Sequence, residues 1–339
     1  MTLKFGTLAS SVTATVDSTL IGLTVTASPY VMVYAWNNGF GAKYSDPATL
    51  PTGNGADIAF SPSTSSVIVA HSVSPYVSAY PWSSGFGSKY ADPGTMLTNG
   101  GTGVSFTPSG SDVAISFAAS PCVNVYPWSS GFGSKYANPA TLPSGNLGNA
   151  VSFSPSGADI IVTTATGTCV TAYPWSSGFG TKYADPSTLY VGGNKVAFSP
   201  SGTDVAIAWG TGPRIAVYPW SPGFGTKYAD PAAIGGGTGV SAAFSPGGSV
   251  VAVAFAASPY VYVYPWSAGF GTRYADPNIL PAGSIRGDVT FDKTGGTIAV
   301  AHFLTPYVSA YSWSSSGFGA KYANPVTALT GSGTAVTFA

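Results

Sequence analysis

His71 and His302 are the only histidines in the chain. Histidine is the side chain that most often moves protons near neutral pH. They stand in "VAHSVSPY" and "VAHFLTPY", and neither has a repeated Ser or Cys nucleophile in its surroundings. All 12 acidic residues are Asp, and many of them obey one rule. Lys43, Lys89, Lys135, Lys182, Lys227, Arg273 and Lys321 are each followed three residues on by Asp46, Asp92, Asn138, Asp185, Asp230, Asp276 or Asn324, always before Pro. The free exchange of Asn for Asp points to a turn in which the side chain accepts a hydrogen bond. One Asp beside a Lys does not make a calcium site, which gathers several oxygen ligands. Asp57, Asp112, Asp159 and Asp204 sit beside expected strand starts, where a turn role is again expected. No carboxylate pair departs from the turn pattern, so no catalytic machinery, cofactor or metal is expected. Cys122 and Cys169 each lie six residues before a repeated Trp and read as small buried hydrophobes.

These residues have to be placed by a repeat. Trp36, Trp82, Trp128, Trp175, Trp220, Trp266 and Trp313 are separated by 45 to 47 residues. Phe60, Phe106, Phe153, Phe198, Phe244 and Phe291 each precede the next of these Trp by 22 residues. Each Phe ends a short apolar run before a Pro/Gly turn, as in "VSFSPSG". A second strand such as "DVAISFA" follows, then a third such as "YVSAYPW", then the turn "SSGFGS" and a short segment "KYADP". Four β segments in about 46 residues match one propeller blade. Glu and Gln are absent, while Gly, Pro, Val and Tyr are plentiful, a composition that favours strands over helices. The predicted fold is all-β: one domain over 1–339, a seven-bladed β-propeller with four-stranded antiparallel blades.

"VSFSPSGADIIVTTA" resembles the first two strands of a WD40 repeat, and "YVSAYPW" stands where that family ends its third strand in Trp-Asp. The likeness runs through all seven units, but the Gly-His pair is missing and Ser or Asn follows the Trp. The family's Asp/His/Ser/Trp network is therefore not carried over. "GFG-x-KYADPATLP" is similar to repeats in proteins of tailed bacteriophages and viral metagenomes, a likeness that implies a virion-associated protein.

The ends of the chain predict how the ring closes. Phe338 lies 25 residues after Trp313, as Phe291 does after Trp266. Residues 333–338 are thus the first strand of a unit that stops, and they are expected to pair into the first blade. Residues 2–17 would then be displaced or add a strand elsewhere.

Function classes follow from charge and from where the repeats differ. Net charge is zero and no basic cluster exists, which argues against nucleic acid. No apolar run is long enough for a membrane helix, and no secretory signal is recognised at the start. The repeated Trp, with their neighbouring Phe and Tyr, read as wedges that fill the gaps between blades; exposed instead, they would be sugar-stacking platforms of a multivalent lectin for neutral glycans. Six residues before each Trp stand Tyr30, Tyr76, Cys122, Cys169, Arg214, Tyr260 and Tyr307. Tyr and Arg are enriched at protein interfaces, so Tyr30, Tyr76, Arg214, Tyr260 and Tyr307 are candidate contacts, with partly buried strand residues as the plainer alternative. The expectation is a non-catalytic structural or adhesive propeller in a virion, contacting other virion proteins or a host-surface glycan or protein, with homo-oligomerisation inside an assembly. The alternative is the lectin, with an extracellular or cytoplasmic location. A cytosolic scaffold is disfavoured by the scarcity of charge.

Overall fold

The computed structural model describes residues 19–285 and 287–339, so the expectation for residues 2–17 lies outside the described residues. Every regular element among them is a strand, and the strands form seven antiparallel sheets. The chain is a seven-bladed β-propeller. Blade 2 shows the plan: an inner strand Gly55–Phe60, a second strand Ser66–His71 and a third strand Val77–Pro81, hydrogen-bonded in that order. The second strand is buried along its whole length because both of its faces meet neighbouring blades.

Blade 1 joins the two ends of the sequence. Strand Gly333–Phe338 pairs with Thr19–Val25, placing Ile21 opposite Phe338 and Leu23 opposite Val336. Leu20 and Ala339 exchange both backbone hydrogen bonds, at 3.2 and 3.0 Å. The predicted closure is therefore present, and it removes what would be two unpaired edges.

The fourth segment differs between blades for a reason visible in one residue. Blades 1 and 7 carry a full outer strand, Phe40–Lys43 and Gly317–Lys321. In blades 2 to 6 only an isolated bridge remains, such as Trp82 with Phe86. The expected four strands per blade are thus complete only in blades 1 and 7. The other five blades have Pro before the Trp, at 81, 127, 174, 219 and 265, whereas blades 1 and 7 have Ala35 and Ser312. The outer segment still donates Gly87 N–H to Pro81 O and Tyr90 N–H to Ala79 O, each at 2.8 Å. Proline has no N–H to return, so the ladder stays incomplete.

The core lies between blades. Trp82 meets Tyr44, Phe60 and Phe86 edge-to-face, with ring centroids 5.0 to 5.6 Å apart. The seven repeated Trp are only 1 to 9% exposed. Tyr80 is fully buried and its hydroxyl donates to Thr49 O at 2.8 Å. In place of the WD40 network, three junctions hold another. Tyr136 and Trp175 donate to Asp112, Tyr183 and Trp220 to Asp159, and Tyr228 and Trp266 to Asp204. In each case the Asp and Tyr belong to one blade and the Trp to the next. These three Asp open second strands and lock blade pairs, which corrects the turn role expected for them.

Candidate functional site

The inner strands surround a central channel, and its lining is set by one register. Three residues before the inner Phe stand Asp57, Gly103, Ala150, Lys195, Ser241, Asp288 and Ala335. Small residues keep the lumen open, and the three charged ones meet across it. Lys195 Nζ of blade 5 lies 3.2 Å from Asp57 Oδ2 of blade 2 and 3.3 Å from Asp288 Oδ2 of blade 7. Asp57 is fixed by the N–H groups of Ile58 and Val104, each at 3.0 Å. It lies within an inner strand rather than in the turn expected for it. Asp288 Oδ1 makes no hydrogen bond.

One position nearer the upper face, where the loops between second and third strands open, a set of neutral polar side chains braces the mouth. Each donates to the first carbonyl of the next inner strand: Thr102 to Gly148, Asn149 to Gly193, Asn194 to Gly239 and Thr334 to Gly55, at 2.6 to 2.8 Å. This mouth is a hollow of about 710 Å³ with Lys195 at its floor. A second hollow of about 530 Å³ lies on the other side of the charged trio and is walled by the inner strands.

Electrostatics follow from this confinement. Burial raises the Asp288 carboxyl to about 6; Lys195 opposes the rise and the nearby Asp57 adds to it. The two carboxylates outweigh the desolvation of Lys195 and hold its ammonium firmly charged. The result is a cation flanked by two carboxylates, one of them with an unused oxygen and an affinity for protons close to neutral pH. Such a set can activate water and stabilise a developing oxyanion.

The residues singled out from sequence go elsewhere. His71 and His302 are fully buried, each with Nε2 3.0 Å from a Ser hydroxyl, Ser78 or Ser309. Burial lowers both to about 4, so they are neutral packing groups. Cys122 and Cys169 are free and buried. The Lys–Asp and Arg–Asp pairs of the outer segment contact each other directly: Lys43 with Asp46, Lys89 with Asp92, Lys182 with Asp185, Lys227 with Asp230 and Arg273 with Asp276. Tyr30, Tyr76, Arg214, Tyr260 and Tyr307 are half-buried, one per blade, on the upper face. All five, with Cys122 and Cys169, have φ between 62 and 70° or, for Tyr260, 76°. Their carbonyls turn inward, as Tyr76 O does to accept from His71 N–H at 2.9 Å.

No protein-family model and no curated sequence matches the chain. It is similar in fold to the periplasmic gluconolactonase of Pseudomonas aeruginosa, at 15% identity and a TM-score of 0.70, covering 95% of this chain and 99% of that one. A Bacteroides fragilis protein provisionally named a 6-phosphogluconolactonase gives 15% identity and 0.70, covering 96 and 99%. A Lactobacillus plantarum protein gives 15% identity and 0.74, covering 95 and 99%.

These findings correct the functional expectations. Two of these propellers carry lactonase names and none a phage name, which overturns the non-catalytic virion or adhesive reading and its lectin alternative. The virion location falls with it, one of these neighbours being periplasmic. The expectation of no enzyme rested on finding no carboxylate pair outside the turns. Asp57 and Asp288 are such a pair, 231 positions apart in sequence (288 minus 57) and joined only through Lys195. Comparing the inner-strand register column by column would have found them.

Proposed function

We propose that the chain is a hydrolase of sugar lactones that works inside the channel, in the hollow of about 530 Å³ that Asp57, Lys195 and Asp288 line together. The observation that carries this reading is the Asp57–Lys195–Asp288 trio, assembled from three blades inside the channel. The fold shared with propellers named as lactonases supports it. In the reaction, Asp288 takes a proton from water as the water oxygen bonds to the lactone carbonyl carbon. The Lys195 ammonium stabilises the negative charge that forms on the carbonyl oxygen. The ring C–O bond then breaks, and the departing oxygen recovers the proton from Asp288, leaving an open hydroxy acid. Asp57, held by two backbone N–H groups, keeps Lys195 pointed across the lumen.

The test is hydrolysis of gluconolactone, followed as acid release above the spontaneous rate. Turnover should rise with pH through about 6 as Asp288 ionises. Asp288→Asn should lower it about 10²- to 10⁴-fold, the usual contribution of a positioned base. A wild-type rate equal to the buffer control, or an unaffected Asp288→Asn variant, would rule the reading out.

A further inference from the structure

The Asp–Tyr–Trp junctions leave one position in the ring that is built for a carboxylate and has none. The second-strand residue paired with the position just before the repeated Trp is Leu20, Ser66, Asp112, Asp159, Asp204, Val250 or Thr297 through blades 1 to 7. In blades 3 to 5 its carboxylate accepts from a Tyr hydroxyl at 2.7 to 2.9 Å and a Trp Nε1 at 3.1 to 3.4 Å. Asp112 and Asp204 also accept from the preceding hydroxyl, Ser111 at 3.0 Å and Thr203 at 3.2 Å. Each carboxylate is nearly buried and satisfied by hydrogen bonds with no cation paired to it. Leu20, Val250 and Thr297 occupy the same spot with side chains bulkier than Ser.

Ser66 supplies neither a carboxylate nor bulk. It is 2% exposed, and the space beside it is a cleft of about 270 Å³. Ser65, Tyr90 and Trp128 line that cleft, and they are the equivalents of the Ser111, Tyr136 and Trp175 that hold Asp112. Trp128 is 9% exposed and, among the described residues, neither its Nε1 nor the Tyr90 hydroxyl meets a hydrogen-bonding partner. No carboxylate lines the cleft to oppose an anion. We infer that the cleft between blades 2 and 3 binds a small monocarboxylate, whose oxygens accept from Tyr90, Trp128 Nε1 and Ser65. The site lies away from the channel and does not depend on the lactonase reading.

Indole N–H resonances in a nitrogen–proton correlation spectrum test this directly, with Trp128→Phe identifying the Trp128 signal. Titrating acetate should shift that signal saturably, while isosteric neutral acetamide should not. Ser66→Asp supplies the carboxylate from the chain, as blades 3 to 5 do, so its Trp128 signal should start shifted and stay put. Tyr90→Phe should weaken acetate about tenfold, the loss of roughly one hydrogen bond. A short peptide ending in a free carboxylate, run beside its amide, separates a free acid from a chain terminus as the source. No saturable shift with acetate, an equal shift with acetamide, or an unchanged response in Ser66→Asp would overturn the assignment.

Discussion

Buried histidines tie the stability of this protein to acid. His71 and His302 take up protons at about 4 in the fold, against 6.5 for an unhindered imidazole, chiefly because burial disfavours the charged ring. Between those values the unfolded chain binds more protons than the folded one, so stability falls as pH drops from about 6.5 to 4. Each shift corresponds to on the order of 3 kcal/mol once pH is below both values. Asp288 acts in the opposite sense, since its raised value makes the folded state hold a proton that the unfolded state releases between 3.8 and about 6. Two histidines outweigh one carboxyl, so denaturation midpoints should fall on acidification. Replacing both histidines with Gln should flatten that fall; an unchanged slope would show that other groups carry it. The same residues show what a single sequence can disclose. The histidines stand out because they are rare, yet each is a packing group bonded to the second residue of the following strand. Lys195 does not stand out, because nothing close to it in sequence is charged. Its partners arrive from blades 2 and 7 only when the ring closes.

At the scale of strands the repeat is almost fully legible in the sequence, down to the place of each inner Phe. What the pattern alone does not disclose is the effect of Pro on the fourth segment, or why the inner strand opens on Gly. The second point is steric. A Cβ on Gly101 would sit 2.4 Å from Tyr76 O, and on Gly55, 2.4 Å from Tyr30 O. The left-handed residue at each upper loop thus drives its carbonyl against the next blade, and only Gly lets the two backbones meet. The proline effect yields a measurement. In Pro81→Ala the new amide faces the outer segment, as that of Ala35 does in blade 1, and should become protected from hydrogen exchange. Ala35→Pro should do the reverse and reduce the outer strand Phe40–Lys43 to a single bridge. Rapid exchange of the amide introduced at position 81 would show that the outer segment is held off by something other than proline.

A ring made of seven similar sheets has no strong local reason to stop, and closure has to be supplied by one long-range pairing. Here it is the strand Gly333–Phe338 against Thr19–Val25, which brings Thr24 and Thr334, 310 positions apart, within hydrogen-bonding distance. The pairing also completes the packing at the seam, where Phe338 meets Trp36 edge-to-face with centroids 5.2 Å apart and Val336 is buried with Ile21 and Leu23. At the channel mouth, Thr334 donates to Gly55 O of the neighbouring inner strand and so ties the closing strand to blade 2. Removing residues 333–339 would strip all of this at once and leave the edge of Thr19–Val25 unpaired. The phenyl ring of Phe338 alone contributes up to about 3 kcal/mol, the lower end for a truncated core aromatic. The truncated chain should therefore melt well below the full one and associate through its open edge, seen as concentration-dependent elution on size exclusion. Adding a peptide of residues 333–339 should restore both the melting temperature and the monomer, because the missing strand brings its own hydrogen bonds and side chains. A truncated chain that melts and elutes like the intact protein would mean that six complete blades and a broken one hold their curvature unaided, and that the seam contributes nothing the other junctions lack.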